Sequence, residues 1–380
     1  MRIGIDYFAA STHWPGIGRY GRELVRALVR LEDCPELHLW SWGRGASLPA
    51  TALGLTGTGV RRDAHRSTYR LPARLASALQ ALTGKGPEAL CGSLDVFHRM
   101  SPHVPALAHR KEGRPSQVQP LLELPARGTR EEAHLRAALL EMDAILCGSQ
   151  AGARQAIAQL GLPAERVHSV TTGADHWLRD AAPRAADDLM QAGPPRLLVL
   201  GAISAAREPL AVLKAFEAFR DYHPSVKAKL VFCGRAGDAA EALLRALSRS
   251  PFVESVTWIS DPIEADLPAL VAGSAALIHL SSGELSPITP LEAMAFGAAI
   301  VASDLPAFRE VLEGTDGALL VPACAAQDPA ELAANIACAL DSSADQAARG
   351  DRVAQAKAHT WRVNATETVA LWRTLTPPRS

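Results

Sequence analysis

The run Arg196-Leu197-Leu198-Val199-Leu200-Gly201 decides the fold, together with the loop Ala202–Glu208 and the stretch Pro209–Tyr222 that follow it. Five residues, four of them aliphatic, closed by a glycine read as a strand buried on both faces. Beyond the loop, Pro209 stands where a helix tolerates proline, in its first turn, and apolar residues then recur every three to four positions. One strand followed by one amphipathic helix is half of a βαβ unit. Repetition of that unit specifies a parallel sheet.

Working outward, the rhythm continues to the end of the chain. Lys229–Cys233, Val256–Ile259, Ala275–Leu280, Ala299–Ser303 and Ala318–Leu320 read as strands. Ala239–Ser248, Asp266–Ala272, Thr289–Phe296, Ala307–Leu312 and Pro329–Leu340 read as the helices of this half. Before Arg196 the same alternation is present but sparser. Arg2–Asp6, Leu37–Ser41, Val96–His98 and Ala144–Cys147 read as strands, Gly18–Leu31 and Ala151–Leu160 as helices. Between the halves, Asp180–Pro195 is rich in Ala, Pro, Asp and Gly without a period, and reads as a linker. The chain has 380 residues, which at roughly 100–200 residues per domain suits two domains. The expectation is α/β, with two consecutive parallel-sheet domains, ligands binding at the carboxyl ends of strands, and a cleft between the two.

Bulk properties narrow the class. Hydrophobic residues make up 48% and charged residues 21%, the balance of a folded chain. Met1 runs directly into Ile3-Gly4-Ile5, without the basic and apolar regions of a signal peptide, and no apolar stretch approaches the ~20 residues a spanning helix needs. A cytoplasmic location is expected, with the six scattered cysteines as reduced, buried thiols. The net charge of −1 divides unevenly: residues 1–178 carry 21 basic and 16 acidic side chains, and the remainder 18 and 24. A near-neutral chain without interleaved aromatics argues against a nucleic-acid partner. No metal-ligand spacing, nucleophile elbow or Walker loop occurs.

Three loops carry the polar residues of interest. Pro15-Gly16-Ile17-Gly18-Arg19-Tyr20 joins the first strand to the first helix. Its glycines and helix start suit an anion, and an ordinary tight turn explains them equally. Gly201–Pro209 offers Arg207 as a planar fork for a diphosphate, against a solvated Arg207–Glu208 turn; Arg235 is a second cation of the same kind. Gly283–Gly297 places Glu284 after a buried strand and Glu292 about one turn into the next helix. Two carboxylates there accept hydrogen bonds in pairs, as sugar hydroxyls require, and the helix start at Ile288, Thr289 and Pro290 suits a phosphate, Pro290 itself lacking an N–H. A loop acid and a helix acid each paired with a nearby arginine would give the same spacing.

Taken together these segments resemble glycosyltransferase family four, the retaining GT-B enzymes, over almost the whole chain. Gly16–Leu24 resembles the family's first loop and helix. Gly148-Ser149 with Leu160–Pro163, and Thr172-Gly173-Ala174-Asp175, resemble the end of its front domain. Ser281–Gly297, with Leu291-Glu292-Ala293-Met294-Ala295, resembles its paired-glutamate motif and is the most specific of these. Ser303–Pro306 with Glu310 fits the segment after it, and Trp361 the tail that returns to the front domain. The resemblance implies GT-B architecture, two Rossmann-like parallel-sheet domains facing across a cleft. Residues 1–178 with helix 362–380 would form the acceptor-side domain and 179–361 the nucleotide-sugar domain. It implies hexosyl transfer with retention from a nucleotide sugar to a glycan or lipid-linked acceptor in polysaccharide or lipopolysaccharide synthesis. The style of the first loop is closest to mannosyltransferase-like members, hence GDP-mannose.

The roles that follow by resemblance are Glu284 for the donor sugar, Glu292 for the ribose, Arg207 for leaving-group charge, Gly16 and Gly18 for the diphosphate, and the amides of Ile288 and Thr289 beside it. No cofactor and no metal are implied. His98, His103 and Glu123 are the acceptor-side candidates. The sequence departs from the family at Ala202, at Ala206-Arg207, where Lys is usual at the second position, at Leu122-Glu123, where a His-Asp pair is usual, and at Leu285-Ser286-Pro287. A non-catalytic sugar-nucleotide-binding relative and a nucleotide-sugar epimerase are the alternatives. Finally, Arg61, Arg62, Arg66, Arg70 and Arg74 recur near an amphipathic run, Leu71–Leu82. That pattern suits either docking on an anionic membrane surface or a solvated basic helix.

Overall fold

The computed structural model describes residues 1–11, 16–42, 55–56, 59–69, 93–100, 115–179, 193–323 and 328–376. The chain divides into two compact units, residues 1–171 with 361–380 and residues 172–360. The division falls after Thr171 rather than at 178. Ala174 and Trp177 are buried in the apolar core of the second unit, which draws the segment Thr172–Arg179 into it. Of the expected linker, residues 180–192 lie outside the described residues.

In the first unit the strands are β1 (Arg2–Asp6), β2 (Glu36–Trp42), β3 (His65–Tyr69), β4 (Val96–His98), β5 (Ser116–Pro120), β6 (Ala144–Cys147) and β7 (Val167–Ser169). They form one sheet in the order β3-β2-β1-β4-β5-β6-β7, and every pairing is parallel. The helices described are α1 (Phe8–Ser11), α2 (Ile17–Leu28), α3 (Arg130–Leu140), α4 (Gln150–Leu160) and the last helix of the chain, Trp361–Leu375. The last helix buries Trp361, Val369 and Trp372 in the core that also holds Tyr20, Leu24 and Leu28 of α2. Helix α3, absent from the sequence reading, starts on a reciprocal cap. The Thr129 hydroxyl accepts the Glu132 N–H at 3.1 Å, and the Glu132 carboxylate accepts the Gly128 N–H at 2.7 Å.

The second unit holds β8 (Arg196–Leu200), β9 (Lys229–Cys233), β10 (Val256–Ile259), β11 (Ala276–His279), β12 (Ala299–Ser303) and β13 (Ala318–Val321). Their order is β10-β9-β8-β11-β12-β13, again all parallel. Its helices are α5 (Pro209–Tyr222), α6 (Ala240–Leu247), α7 (Leu267–Ala272), α8 (Ile288–Ala295), α9 (Pro306–Leu312), α10 (Pro329–Ala344) and α11 (Gln346–Lys357). The last helix, Trp361–Leu375, is α12. The continuous apolar strands are explained by burial on both faces. Leu197, Val199, Leu230 and Phe232 enter one core with Phe216 and Phe219 of α5 and Ile336 of α10. Their neighbours Leu198, Leu200, Val231 and Cys233 enter the opposite core with Leu291 and Met294 of α8 and Phe308 of α9. At the carboxyl ends the backbones of β8 and β9 close in. A Cβ on Gly234, whose φ is 154°, would lie 1.9 Å from the Gly201 carbonyl oxygen, so only glycine fits there.

The expected α/β alternation with parallel sheets is therefore present in both units. Cys34, Cys147 and Cys233 are buried free thiols, with burial pushing Cys34 to about 11 and Cys147 to about 12. Cys338, on α10, is exposed, contrary to the expectation. No helix of the described residues is long and apolar enough to cross a membrane.

Candidate active site

Each sheet reverses its strand order once: between β1 and β4 in the first unit and between β8 and β11 in the second. The chain leaves these neighbouring strands in opposite directions, which opens a crevice outside their carboxyl ends where α/β sheets bind ligands. The second unit places its polar residues there. After β8, a single 3-10 turn at Ala205–Arg207 carries the chain to Glu208, and α5 begins at Pro209. Ala205 N–H donates to Asp238 at 2.8 Å and Ile203 N–H to the Arg235 carbonyl at 2.9 Å, fixing this loop to the one after β9. Arg235 itself is exposed.

Arg207 and Glu284, singled out separately in the sequence, meet directly. Arg207 Nη2 is ion-paired with Glu284 Oε1. A third member, His279, was not anticipated. It ends β11, is 2% exposed, and its Nε2 lies 3.0 Å from Glu284 Oε2 and 2.8 Å from Arg207 Nη1. Burial alone would raise the Glu284 pKa. The charge of Arg207 and then that of His279, with their hydrogen bonds, outweigh it and hold the carboxyl down at about 2. Glu284 is therefore an anion throughout the physiological range, and an anion has only acceptor sites to offer.

Glu292 lies on α8, as its spacing predicts, with its carboxylate buried. A histidine outside the sequence candidates again lies beside it: His176 Nε2 is 3.2 Å from Glu292 Oε1 without hydrogen-bond geometry, and both side chains are almost fully buried. Pro287 precedes the first turn of α8. The Ile288 N–H goes to the Ser286 carbonyl at 2.9 Å, and Pro290 has none, so of the three expected amides Thr289 is the one left for a ligand.

The first-unit candidates stay in their own unit. Gly16 caps α2 with φ 67°, and Gly18 is buried in the first turn. His98, at the end of β4, is 0% exposed, with Tyr20 stacked at 6.4 Å and Trp372 edge-on at 5.4 Å. Burial pushes its pKa down to about 3, so it is a neutral ring enclosed by these side chains. Glu123 is exposed after β5, and His103 lies outside the described residues. Arg66 sits in strand β3 rather than on a basic helix. It pairs with Asp63 at 3.3 Å, and Arg61 with Glu32 at 3.9 Å. Arg70, Arg74 and Leu71–Leu82 lie outside the described residues.

Metal-ligating side chains do gather once among the described residues, across two strands where spacing along the chain does not show it: Glu36, His38 and His65. The Arg2 guanidinium is already there, with Nε 3.1 Å from Glu36 Oε1 and Nη2 3.3 Å from His38 Nε2, and it supplies the positive charge.

Residues 194–342, which contain Arg207, His279, Glu284 and Glu292, match the family described as "Glycosyl transferases group 1". A 92-residue stretch is 35% identical to the O-antigen chain mannosyltransferase RfbU of Salmonella typhimurium, covering 24% of this chain and 25% of that protein. The match thus spans only a quarter of the relative's length. Among solved structures, sucrose-phosphate synthase from Thermosynechococcus elongatus superposes with a TM-score of 0.75 at 14% identity, over 99% of each chain. HepE from Anabaena, in complex with UDP and glucose, gives 0.70 at 18%, over 98% of this chain and 99% of that one. The UDP-forming α,α-trehalose-phosphate synthase of Burkholderia vietnamiensis gives 0.71 at 15%, over 98% and 99%. The fold is the GT-B fold.

Proposed function

We propose that this chain is a hexosyltransferase. It moves a sugar from a nucleotide-sugar donor, GDP-mannose by resemblance, to a glycan or lipid-linked acceptor with retention and without a bound metal, in polysaccharide or lipopolysaccharide synthesis. The observation that carries the reading is the Arg207–Glu284 pair at the strand reversal of the second unit, within the stretch that matches the group 1 glycosyltransferases. Breaking a glycosidic bond to a diphosphate leaves negative charge on the departing phosphate. A planar guanidinium accepts that charge bidentately, and its worth is greatest where water is scarce. Glu284 offers two acceptor oxygens to donor-sugar hydroxyls, and Glu292, with His176 close by, offers the same to a ribose. Thr289 N–H, at the start of α8, would serve a phosphate between them. The HepE complex with UDP and glucose, and the mannosyltransferase to which the 92-residue stretch is similar, support a nucleotide-sugar donor without choosing its base.

The test is turnover of a panel of UDP-, GDP- and ADP-sugars, by transfer or by slow donor hydrolysis, in the wild type and in Glu284→Ala. The expected outcome is consumption of at least one donor that falls on the order of 10²-fold in the variant, as loss of a group that stabilises the transition state produces. A variant with undiminished turnover sinks the reading. Nucleotide binding without turnover of any donor would favour a non-catalytic sugar-nucleotide-binding protein instead.

A further inference from the structure

The group formed by Glu284, Arg207 and His279 contains a hydrogen-bonding conflict. His279 Nε2 is within hydrogen-bond distance of both neighbours, 2.8 Å from Arg207 Nη1 and 3.0 Å from Glu284 Oε2. One ring nitrogen either donates or accepts. Bearing a proton, it donates to Glu284 and meets Arg207 N–H to N–H. Lacking one, it accepts from Arg207 and turns its lone pair on the oxygen of an ionised carboxylate.

The second arrangement sets two acceptors against each other around a full buried charge. The first leaves only Arg207 with a poor contact, and Arg207 can move. Its side chain is 20% exposed, against 9% for Glu284 and 1% for His279. It also keeps four other N–H groups. The imidazole is held in place instead. It ends a central strand, and the Phe308 ring of α9 lies against it at 5.7 Å.

We propose that His279 is the positioning residue of the donor site: its Nε2–H holds Glu284 through Oε2, so that Arg207 can leave Glu284 Oε1 for a diphosphate while the carboxylate stays aimed at the sugar. This rests on the reading of Arg207 and Glu284 as donor-binding groups. A diphosphate offers the guanidinium two acceptors in place of one acceptor and one opposing donor, so the exchange is downhill for Arg207. Without His279, the departure of Arg207 would leave a buried carboxylate with neither of its present partners, the costly outcome for a desolvated ion.

Two measurements test this. Nitrogen-15 NMR of the unliganded wild-type protein reads which His279 nitrogen carries hydrogen; a proton on Nε2 is expected, and a ring protonated at Nδ1 alone overturns the proposal. Calorimetric titration with UDP, GDP, UDP-glucose and GDP-mannose then compares His279→Leu with His279→Gln, whose amide N–H replaces the Nε2–H. The sugar's contribution is the ratio of nucleotide-sugar to nucleoside-diphosphate affinity for one base. It should fall about tenfold in His279→Leu and stay within about threefold of wild type in His279→Gln, as loss or retention of a hydrogen bond to a charged group implies. Equal losses in both variants, or none in His279→Leu, overturn the proposal. A wild type that binds none of the four probes refutes the donor-site reading instead, while the NMR result still decides which group holds Glu284.

Discussion

Glu284 and His98 occupy matching places in the two units: each stands at or just beyond the carboxyl end of a strand that flanks its sheet's reversal. Glu284 is buried between a guanidinium and an imidazole, and its charge is retained. His98 is buried among aromatic rings. Among the described residues neither of its ring nitrogens has a hydrogen-bond partner, and its charge is suppressed. Desolvation acts on both groups, and the neighbours decide whether the ion survives it. At these two places the second unit keeps a buried charge and the first a neutral ring. Arg352 belongs to the first pattern too. Although 0% exposed, it donates to the Gly297 carbonyl at 3.0 Å, the Asp316 carbonyl at 3.0 Å, the Ser342 hydroxyl at 2.9 Å and the Ser342 carbonyl at 3.3 Å. It thereby ties α11 and α10 to the turn that ends α8, the helix of Glu292.

The largest effect should come from unpairing such a group. Arg352→Leu removes a donor from three carbonyls, of which that of Gly297 is buried, and from the Ser342 hydroxyl. It should destabilise the second unit by about 3 kcal/mol, the scale of losing a buried hydrogen-bonded cation. Urea unfolding, followed by Trp258 emission in a variant lacking the other tryptophans, reads this unit. A loss below about 1 kcal/mol would mean that the bonds to Arg352 are dispensable and that the two units do not differ in the way described.

A smaller effect should separate the units by pH. The folded pKa of His98, about 3, lies below its ordinary 6.5. The unfolded chain therefore takes up the proton first, and the stability tied to His98 is complete above pH 6.5 and lost as pH falls toward 3. The folded pKa of Glu284, about 2, lies below its ordinary 4.5, so its contribution is lost only below pH 4.5. Asp6 runs the other way. Burial raises it to about 6, against hydrogen bonds from the Phe8 and Met100 amides and the charge of Arg99, so its folded form gains as pH falls from 6 toward 3.8. The difference between wild type and His98→Phe cancels the Asp6 and Glu284 contributions. Between pH 6.5 and 5 that difference should move against the wild type by about 2 kcal/mol, at ~1.4 kcal/mol per unit. A flat difference would show that His98 is hydrated in solution.

How much of this was legible follows from the same contrast. Arg196–Leu200, Lys229–Cys233, Val256–Ile259 and Ala299–Ser303 are strands with the bounds expected of them, apart from one residue at Gly201. Aliphatic runs buried on both faces declare themselves. Strands β3 and β5 read as His-Arg-Ser-Thr-Tyr and Ser-Gln-Val-Gln-Pro and escaped notice. β3 is an edge strand, and β5 buries Gln117 and Gln119 in the sheet, where polarity hides the pattern. At the site, Arg207 and Glu284 were found because loops after strands are where polar residues suggest chemistry. His279 and His176 were not. A single histidine closing an apolar strand, or following Asp175, looks like an ordinary core or loop residue until the fold brings a carboxylate to it. The local signal for His279 is its place near the end of the expected strand Ala275–Leu280, just before the loop that carries Glu284.

The smallest expected effect concerns the residue before the first major helix of each unit. Gly16 caps α2 with φ 67°, and Glu208 caps α5 with φ 48°; the latter is the only non-glycine residue at positive φ among the described residues. In the first unit glycine takes up a backbone conformation that L side chains resist. In the second the same duty falls on a β-carbon, directly after Arg207. The strain costs about 1–2 kcal/mol, and glycine gives back part of that relief through the entropy of the unfolded chain. Glu208→Gly should therefore raise stability by about 0.5–1 kcal/mol, seen as a rise in Tm. Nucleotide affinity of the same variant sharpens the result. If the left-handed residue serves to hold Arg207 at its angle toward Glu284, the freer backbone of glycine should weaken nucleoside-diphosphate binding even as the fold grows more stable. Lowered stability would show instead that the interactions of the Glu208 side chain outweigh the strain of its backbone.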